Sequence, residues 1–344
     1  MIEEKEQNPA QAHEVRTDLA LEMKERFTQD NVEVRGVVLD ESFKADDKIR
    51  ISTVVIRDEH GAEVMKKPIG TYITIEAAEL LTGSGEERDM VSREIAGSLR
   101  QLLAGKKVGR VLVAGLGNRE VTPDSLGPQV TDQLFVTRHL VIEYGGGFLQ
   151  KQLHDPSLEE VELSAVAPGV MAQTGMEALE FLKGIVQRIK PELVLVIDAL
   201  AARSVERLNT TVQLTDSGIC PGAGIGNNRK AINRESLGCP VVAIGVPTVV
   251  DAVTIVMDSM EQLLKGQGYH DEEIRLFLAN VESLRSVNTM FVTPKSIDEE
   301  IRAMGTVLAN AINHCFFGLL GGEEGEGDST NQTISQREAH RGTR

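Results

Sequence analysis

The chain has no tryptophan, and aromatic residues of any kind make up only 3% of its 344 residues. Its core must therefore be aliphatic, and a hydrophobic content of 41% is enough to build one. Cysteine is scarce: three stand apart at 220, 239 and 315, with no C-x-x-C pair. An odd, scattered set builds no disulfide framework and suits a reducing compartment. No apolar run reaches the roughly 18 residues of a membrane span, and the polar, acidic N-terminus has no signal-peptide pattern. Excess positive charge is missing too, since the net charge is −16. That argues against direct nucleic-acid binding and against anionic membranes. The expectation is a soluble cytoplasmic protein.

Several chemistries lack their motifs. The seven histidines, at 13, 60, 139, 154, 270, 314 and 340, show no metal-ligand spacing such as H-E-x-x-H. His139, the one nearest the central glycine-rich stretch, reads as a structural histidine or as a lone metal ligand. No serine occupies a G-x-S-x-G elbow, and no cysteine has an obvious histidine partner. Gly115 and Gly117 begin a dinucleotide fingerprint, but its third small position falls on Glu120, which would repel a pyrophosphate. The glycine-rich loop Pro221–Lys230 does not fit the spacing of a phosphate loop. Its Arg229 and Lys230 read as contacts for an acidic group or as a solvated basic patch. No cofactor and no metal site is expected. Asp216-Ser217-Gly218 matches the short signature of pepsin-like proteases, yet it occurs once and is an ordinary turn sequence.

What is present is an alternation of apolar runs and amphipathic segments. Residues 1–15 are charged and contain Pro9, which suits an arm held by few contacts. A short helix is expected over Arg16–Arg26, then three strands at Val32–Leu39, Ile49–Arg57 and Thr71–Ala77 in an antiparallel meander. A helix follows at Arg88–Ala104. From residue 107 the rhythm is strand–loop–helix, as in a parallel sheet with crossover helices. Its members are the buried strands Lys107–Ala114, Ser164–Val170, Glu192–Ile197 and Val241–Gly245. The matching helices are Ser125–Arg138, Gly175–Lys190, Thr254–Leu264 and Ser296–Phe316. No repeat of solenoid period is present. The tail from Gly318, rich in Gly, Glu, Ser and Thr, reads as disordered. The expected fold class is α/β, a mostly parallel core sheet flanked by helices with an N-terminal antiparallel strand elaboration.

Two carboxylates stand out. Asp124 follows the strand Lys107–Ala114 across the turn Gly115-Leu116-Gly117-Asn118, and Asp198 ends the strand Glu192–Ile197. Open parallel sheets place their sites at the C-terminal ends of strands. Two aspartates on one rim can share a proton, one acting as base while the other donates. Each also has a plain reading as a helix cap, Asp124 for Ser125–Arg138 and Asp198 for Ala199–Leu208.

These residues resemble a family. Arg16-Thr17-Asp18-Leu19-Ala20, Gly115-Leu116-Gly117-Asn118, Val121-Thr122-Pro123-Asp124-Ser125-Leu126-Gly127-Pro128, Val136-Thr137-Arg138-His139-Leu140, Pro168-Gly169-Val170-Met171, Ile197–Ser204, Ala243–Ala252 and Met290–Lys295 look like the germination protease of spore-forming bacteria. The match spans most of residues 16–313. The resemblance implies an endopeptidase made as a self-processing zymogen, which initiates degradation of small acid-soluble spore proteins during germination. It implies a fold similar to hydrogenase-maturation endopeptidases, a homotetramer and a location in the spore core or developing forespore. Its proposed catalytic pair matches Asp124 and Asp198. Its pro-segment ends at Asp18, so that the domains become a pro-segment 1–18, a peptidase domain 19–317 and a tail 318–344, with Asp18–Leu19 as the processing site. Asp18, Leu19 and Ala20 repeat the acidic, hydrophobic, Ala order that the family prefers in substrates, whereas Val15 replaces an acidic residue, which implies a slow bond. The substrates implied are small basic or DNA-associated spore proteins, and the acidic preference implies a basic pocket, with Arg138, Arg203, Arg229 and Lys230 as candidates. The stretch 265–289 is shorter than in many relatives. A metal-dependent endopeptidase using Asp124, Asp198 and His139 is the alternative. A non-catalytic regulatory protein that binds a ligand in the glycine loop is a third reading.

Overall fold

A computed structural model describes residues 17–29, 34–152, 160–222, 229–270, 273–274, 276–277 and 290–318. Residues 1–16 of the expected pro-segment, 319–344 of the expected tail, 223–228 of the glycine loop and much of 265–289 lie outside them.

The longest apolar runs form the middle of one mixed sheet. Its strands are β1 (Val37–Lys44), β2 (Ile49–Ile56), β3 (Gly70–Glu76), β4 (Arg110–Gly115), β5 (Glu162–Val166), β6 (Leu193–Ala202), β7 (Thr211–Thr215), β8 (Val241–Asp251) and β9 (Phe291–Val292). The order is β1-β2-β3-β7-β8-β6-β4-β5, with β9 on β8. The strands β8, β6, β4 and β5 are parallel. β7 joins β8 antiparallel and carries the β1-β2-β3 meander with it. The expected parallel core and antiparallel elaboration are therefore one continuous sheet.

Alternation along the central strands explains why they are apolar on both faces. Leu193, Leu195 and Ile197 of β6, with Val111 and Val113 of β4, pack in the core that contains Val91, Ile95 and Leu99 of the helix Gly85–Leu102 and Ile301, Met304 and Leu308 of the helix Ile297–Phe317. Val194 and Val196, with Leu112 and Ala114, face the opposite way onto Leu179, Leu182 and Val186 of the helix Ala178–Ile189. The sheet is thus sandwiched between helical layers, as two sided hydrophobic strands require.

Three expectations shift. The first strand begins at Val37, because Gly36 takes a left-handed turn (φ 82°) just before it. The helix expected over Ser125–Arg138 is two helices, Leu126–Asp132 and Arg138–Tyr144, so Arg138-His139-Leu140 opens a helix instead of closing one. The break comes from Thr137, which is buried: its N–H donates to Leu163 O (3.0 Å), its hydroxyl donates to Val161 O and accepts the Leu163 N–H (2.9 Å). Those bonds tie it to the edge of β5 and end the helical path. The last shift matters most. β6 does not stop at Asp198 but runs on to Ala202, paired with β8 through a bulge between Leu200 and Ala201. The helix that a capping role for Asp198 would require from Ala199 is absent, its place taken by strand and a short 3-10 turn, Val205–Arg207. Gly245 of β8 leaves room there, since a Cβ on it would sit 2.4 Å from the Leu200 side chain.

The glycines after β4 are equally constrained. A Cβ on Gly115 would lie 2.1 Å from the Gly127 carbonyl oxygen. Gly115→Ala is expected to destabilise the protein by about 1–3 kcal/mol through overpacking. Gly97→Ala, in a helix where nothing lies within 4 Å of the new Cβ, is expected to stabilise it by about 0.5–1 kcal/mol. Urea unfolding of the two variants checks the contrast, and a neutral Gly115→Ala would refute the tight crossing.

Candidate active site

The loop after β4 is built around one close approach. Gly117 is left-handed (φ 111°), and a Cβ on it would lie 1.9 Å from the Asp124 carbonyl oxygen. Only glycine lets the chain fold back so that Asp124 stands over the end of its own strand. The Asn118 N–H then donates to Asp124 Oδ2 at 2.7 Å. Asn118 Oδ1 accepts the Glu120 N–H (3.0 Å) and Gln173 Nε2 (2.8 Å), stiffening the turn. The hydroxyl of Thr248 on β8 donates to Pro123 O at 2.7 Å and pins the loop to the sheet. The carboxylate of Asp124 is thus turned back to the loop, and the helix Leu126–Asp132 starts beyond it without a side-chain cap.

Asp198 reaches the same place from the neighbouring strand. Ile197 is in register with Gly115, the last residue of β4, and Asp198 is the next residue along β6. Only 6% exposed, it accepts the Ala199 N–H on Oδ1 at 3.0 Å. It sits inside a strand, so it caps no helix. Asp124 and Asp198 both line a cleft of about 410 Å³. Burial pushes the Asp198 carboxyl well above the ordinary carboxylate range, with Asp124 and then Asp18 adding repulsion and the Ala199 N–H pulling back. Burial also raises Asp124, against the Asn118 N–H. Both carboxyls are thus biased toward the protonated form relative to exposed aspartates, Asp198 more strongly.

The other expected residues divide. Arg229 and Lys230 line the cleft, Arg229 Nη1 lying 3.6 Å from Met171 Sδ and Lys230 Nζ 3.6 Å from Glu180 Oε1. Arg138 and Arg203 do not line it; the Arg203 guanidinium pairs with Asp258 at 3.0 Å. His139 is exposed and also lies off the cleft, and among the described residues no three His, Cys, Asp or Glu side chains gather as a metal-holding group. Asp216 accepts the Thr71 N–H (2.7 Å) and Gly218 is left-handed (φ 81°), so Asp216-Ser217-Gly218 is a turn.

The junction Asp18–Leu19 is anchored rather than loose. Asp18 lines the cleft; its N–H donates to Ala201 O and its Oδ2 accepts the Ala201 N–H, both at 2.9 Å. Leu19 is fully buried against Leu200, Ala202, Leu208 and Val250. Glu22 accepts the N–H groups of Arg203 (2.8 Å) and Ser204 (3.0 Å) and pairs with Arg207 at 3.3 Å. Lys67 and Gln213 also reach Asp18. Sequence reading missed both, because Lys66-Lys67-Pro68 has the look of any polar turn and Gln213 lies in a strand 195 residues away.

A family model described as germination protease matches residues 11–276. The germination protease of Caldanaerobacter subterraneus subsp. tengcongensis is 44% identical over 313 residues, covering 87% of this chain and 93% of its own. That of Clostridium perfringens is 42% identical over 316 residues (88% and 94%), and that of Bacillus pumilus 37% over 366 residues (90% and 95%). Among solved structures, the [NiFe] hydrogenase maturation protease HycI from Thermococcus kodakarensis KOD1 is similar over 63% of this chain and 99% of that one, at 14% identity and a TM-score of 0.33. No described helix is long and apolar enough to cross a membrane.

The raised carboxyl of Asp198 has a consequence for stability. A group whose pKa is higher folded than unfolded adds stability that is complete below the unfolded value and is lost as pH rises through the folded one. Asp198→Asn removes that loss. The variant is expected to be more heat-stable than the parent at neutral pH, by about 2–4 °C per kcal/mol relieved, with the gap closing as pH falls toward 4 and below. Thermal unfolding across that range checks it; a gap that is constant or widens in acid would contradict the buried, repelled carboxyl.

Proposed function

The chain belongs to the germination protease family, and from that membership we propose an endopeptidase that initiates degradation of small acid-soluble spore proteins during germination, using a water held between Asp124 and Asp198. The observation that carries this reading is the convergence of a buried carboxyl inside β6, Asp198, and a half-buried one in the turn after the neighbouring β4, Asp124, on one cleft. Asp198, the more strongly raised of the two, keeps the shared proton, and Asp124 is the charged base. Asp124 takes a proton from water as its oxygen adds to the substrate carbonyl. Asp198 supplies a proton to the departing nitrogen as the C–N bond breaks. Arg229 and Lys230, which line the cleft, are the candidates to meet a substrate carboxylate. The net charge of −16 favours encounter with small basic, DNA-associated proteins. Assembly as a homotetramer and residence in the cytoplasm of the spore core complete the reading.

The full-length chain is, on this reading, a zymogen whose first substrate is its own Asp18–Leu19 bond. Asp18 already lines the cleft and Leu19 is buried, so the cut is intramolecular and the effective concentration of the bond is high. Mild acid favours it, because lowering pH from neutral fills the singly protonated state of the aspartate pair.

The test is to hold the full-length protein at several pH values and sequence the new N-terminus. Leu19 is expected, faster in mild acid, with a first-order rate independent of protein concentration and unchanged by prolonged chelation. Asp124→Asn and Asp198→Asn are each expected to slow it about a thousandfold or more while remaining folded, the double variant being little worse than either single. The same losses are expected with an added small acid-soluble spore protein. Near-normal cleavage by either variant would overturn the aspartate pair, and activity lost to chelator but restored by a divalent ion would replace it with a metal mechanism.

A further inference from the structure

Every main-chain polar group around the Asp18–Leu19 bond is held. The Asp18 N–H donates to Ala201 O at 2.9 Å, and the Leu19 N–H donates to Thr17 Oγ1 at 3.0 Å. The Ala20 N–H donates to Gln213 Oε1 at 2.7 Å. The carbonyl oxygen of Asp18 accepts from two side chains, Lys67 Nζ at 2.9 Å and Gln213 Nε2 at 3.3 Å. One amide, Gln213, therefore spans the bond, accepting beyond it and donating before it.

Both donors are aimed by the fold. Lys67 follows the helix Glu59–Met65 through Lys66, a left-handed cap (φ 50°), and its own N–H returns to Ala62 O at 3.2 Å. Pro68 comes next, its carbonyl accepting the Tyr72 hydroxyl at 2.8 Å. Gln213 lies in the middle of β7, between Thr74 of β3 and Gly245 of β8, and is 6% exposed. Burial works against the Lys67 ammonium, and Asp18, Cys220 and Glu22 restore part of what it loses. An ammonium drawn partly out of water is costly unless acceptors need it, and one acceptor here is a peptide carbonyl.

We propose that Lys67 and Gln213 are catalytic residues of the self-processing step, the oxyanion-binding pair for the Asp18 carbonyl. The assignment rests on the processing reading above. When water adds to the carbonyl carbon, the C=O π pair moves onto the oxygen that Lys67 and Gln213 already contact. The oxyanion then collapses, the C–N bond breaks, and Leu19 leaves as an amine protonated by the aspartate pair. A hydrogen bond to the neutral carbonyl alone would bind ground and transition states equally and accelerate nothing. Both donors here do more, because each bond strengthens as the oxygen becomes an anion, that of the charged Lys67 most, and both are in place before the reaction starts. The aspartates handle the protons and Lys67 handles the charge on oxygen.

The test is the rate at which the full-length chain yields a Leu19 N-terminus. Lys67→Met is expected to lower it about a hundredfold or more. Lys67→Arg retains a charged donor and is expected to keep a measurable part of the rate. Gln213→Glu keeps the acceptor for the Ala20 N–H but removes the donor, and is expected to slow the step about tenfold or more. Thermal unfolding of each variant confirms that it is folded; if Lys67→Met is not, Lys67→Gln replaces it with the same expectation. If the two side chains only latched the arm, loosening them would leave processing as fast or faster, and that result would overturn the assignment. A parent chain that yields no Leu19 terminus would overturn the processing reading and the assignment with it. A processed parent alongside an equally processed Lys67→Met overturns the assignment alone.

Discussion

The organising constraint is a difference in length between two neighbouring parallel strands. β4 ends at Gly115, in register with Ile197, while β6 continues for five more residues paired with β8. Past that point the main chain of β6 has an open edge on the β4 side. The gap in the sheet is the cleft: the returning loop places Asp124 at its head, Asp198 lies in the first residue beyond the paired region, and Asp18 takes the open edge at Ala201. If β4 ran as long as β6, this space would be filled by another strand.

That geometry explains the electrostatics. A strand centre buried on both faces is a poor place for charge, and Asp198 is the polar residue set into an otherwise apolar run from Leu193 to Ala202. Repulsion from Asp124 and Asp18 adds to the desolvation, so the site favours a bound proton. The cost is offset locally by main-chain donors, Asn118 N–H for Asp124 and Ala199 N–H for Asp198. Asp18, ahead of the helix Ala20–Gln29, is tied to the same strand at Ala201, and Glu22 inside that helix holds Arg203 and Ser204 just past the strand's end.

Much of this was legible from residue order because the signals are local. The continuous apolar runs marked where β6 and β8 begin, since a strand covered on both faces must be apolar throughout, but not that they run on to Ala202 and Asp251. The two glycines and the aspartate after β4 marked a turn at a strand end. The errors also share a cause. Ala199–Leu208 contains good helix formers, yet the partner strand β8 holds its first half extended; propensity yields to pairing. Ser125–Arg138 has helical spacing, yet the buried Thr137 bonds to the edge of β5 and cuts it. Arg203 looked available for a substrate carboxylate, but it lies past the end of β6 and its partner is Asp258.

The sequence by itself determined the composition of the core, the class of fold and the two aspartates, because each is encoded in a window of a dozen residues by periodicity and turn chemistry. Its motifs also carried the family. Only the tertiary structure decided which charges meet. Lys67, Gln213 and Asp18 come from three distant parts of the chain and share one carbonyl oxygen. No local pattern marks them, because the contact is made by the order of strands across the sheet. Pairing of β7 with both β3 and β8 is what brings residue 213 to residue 18.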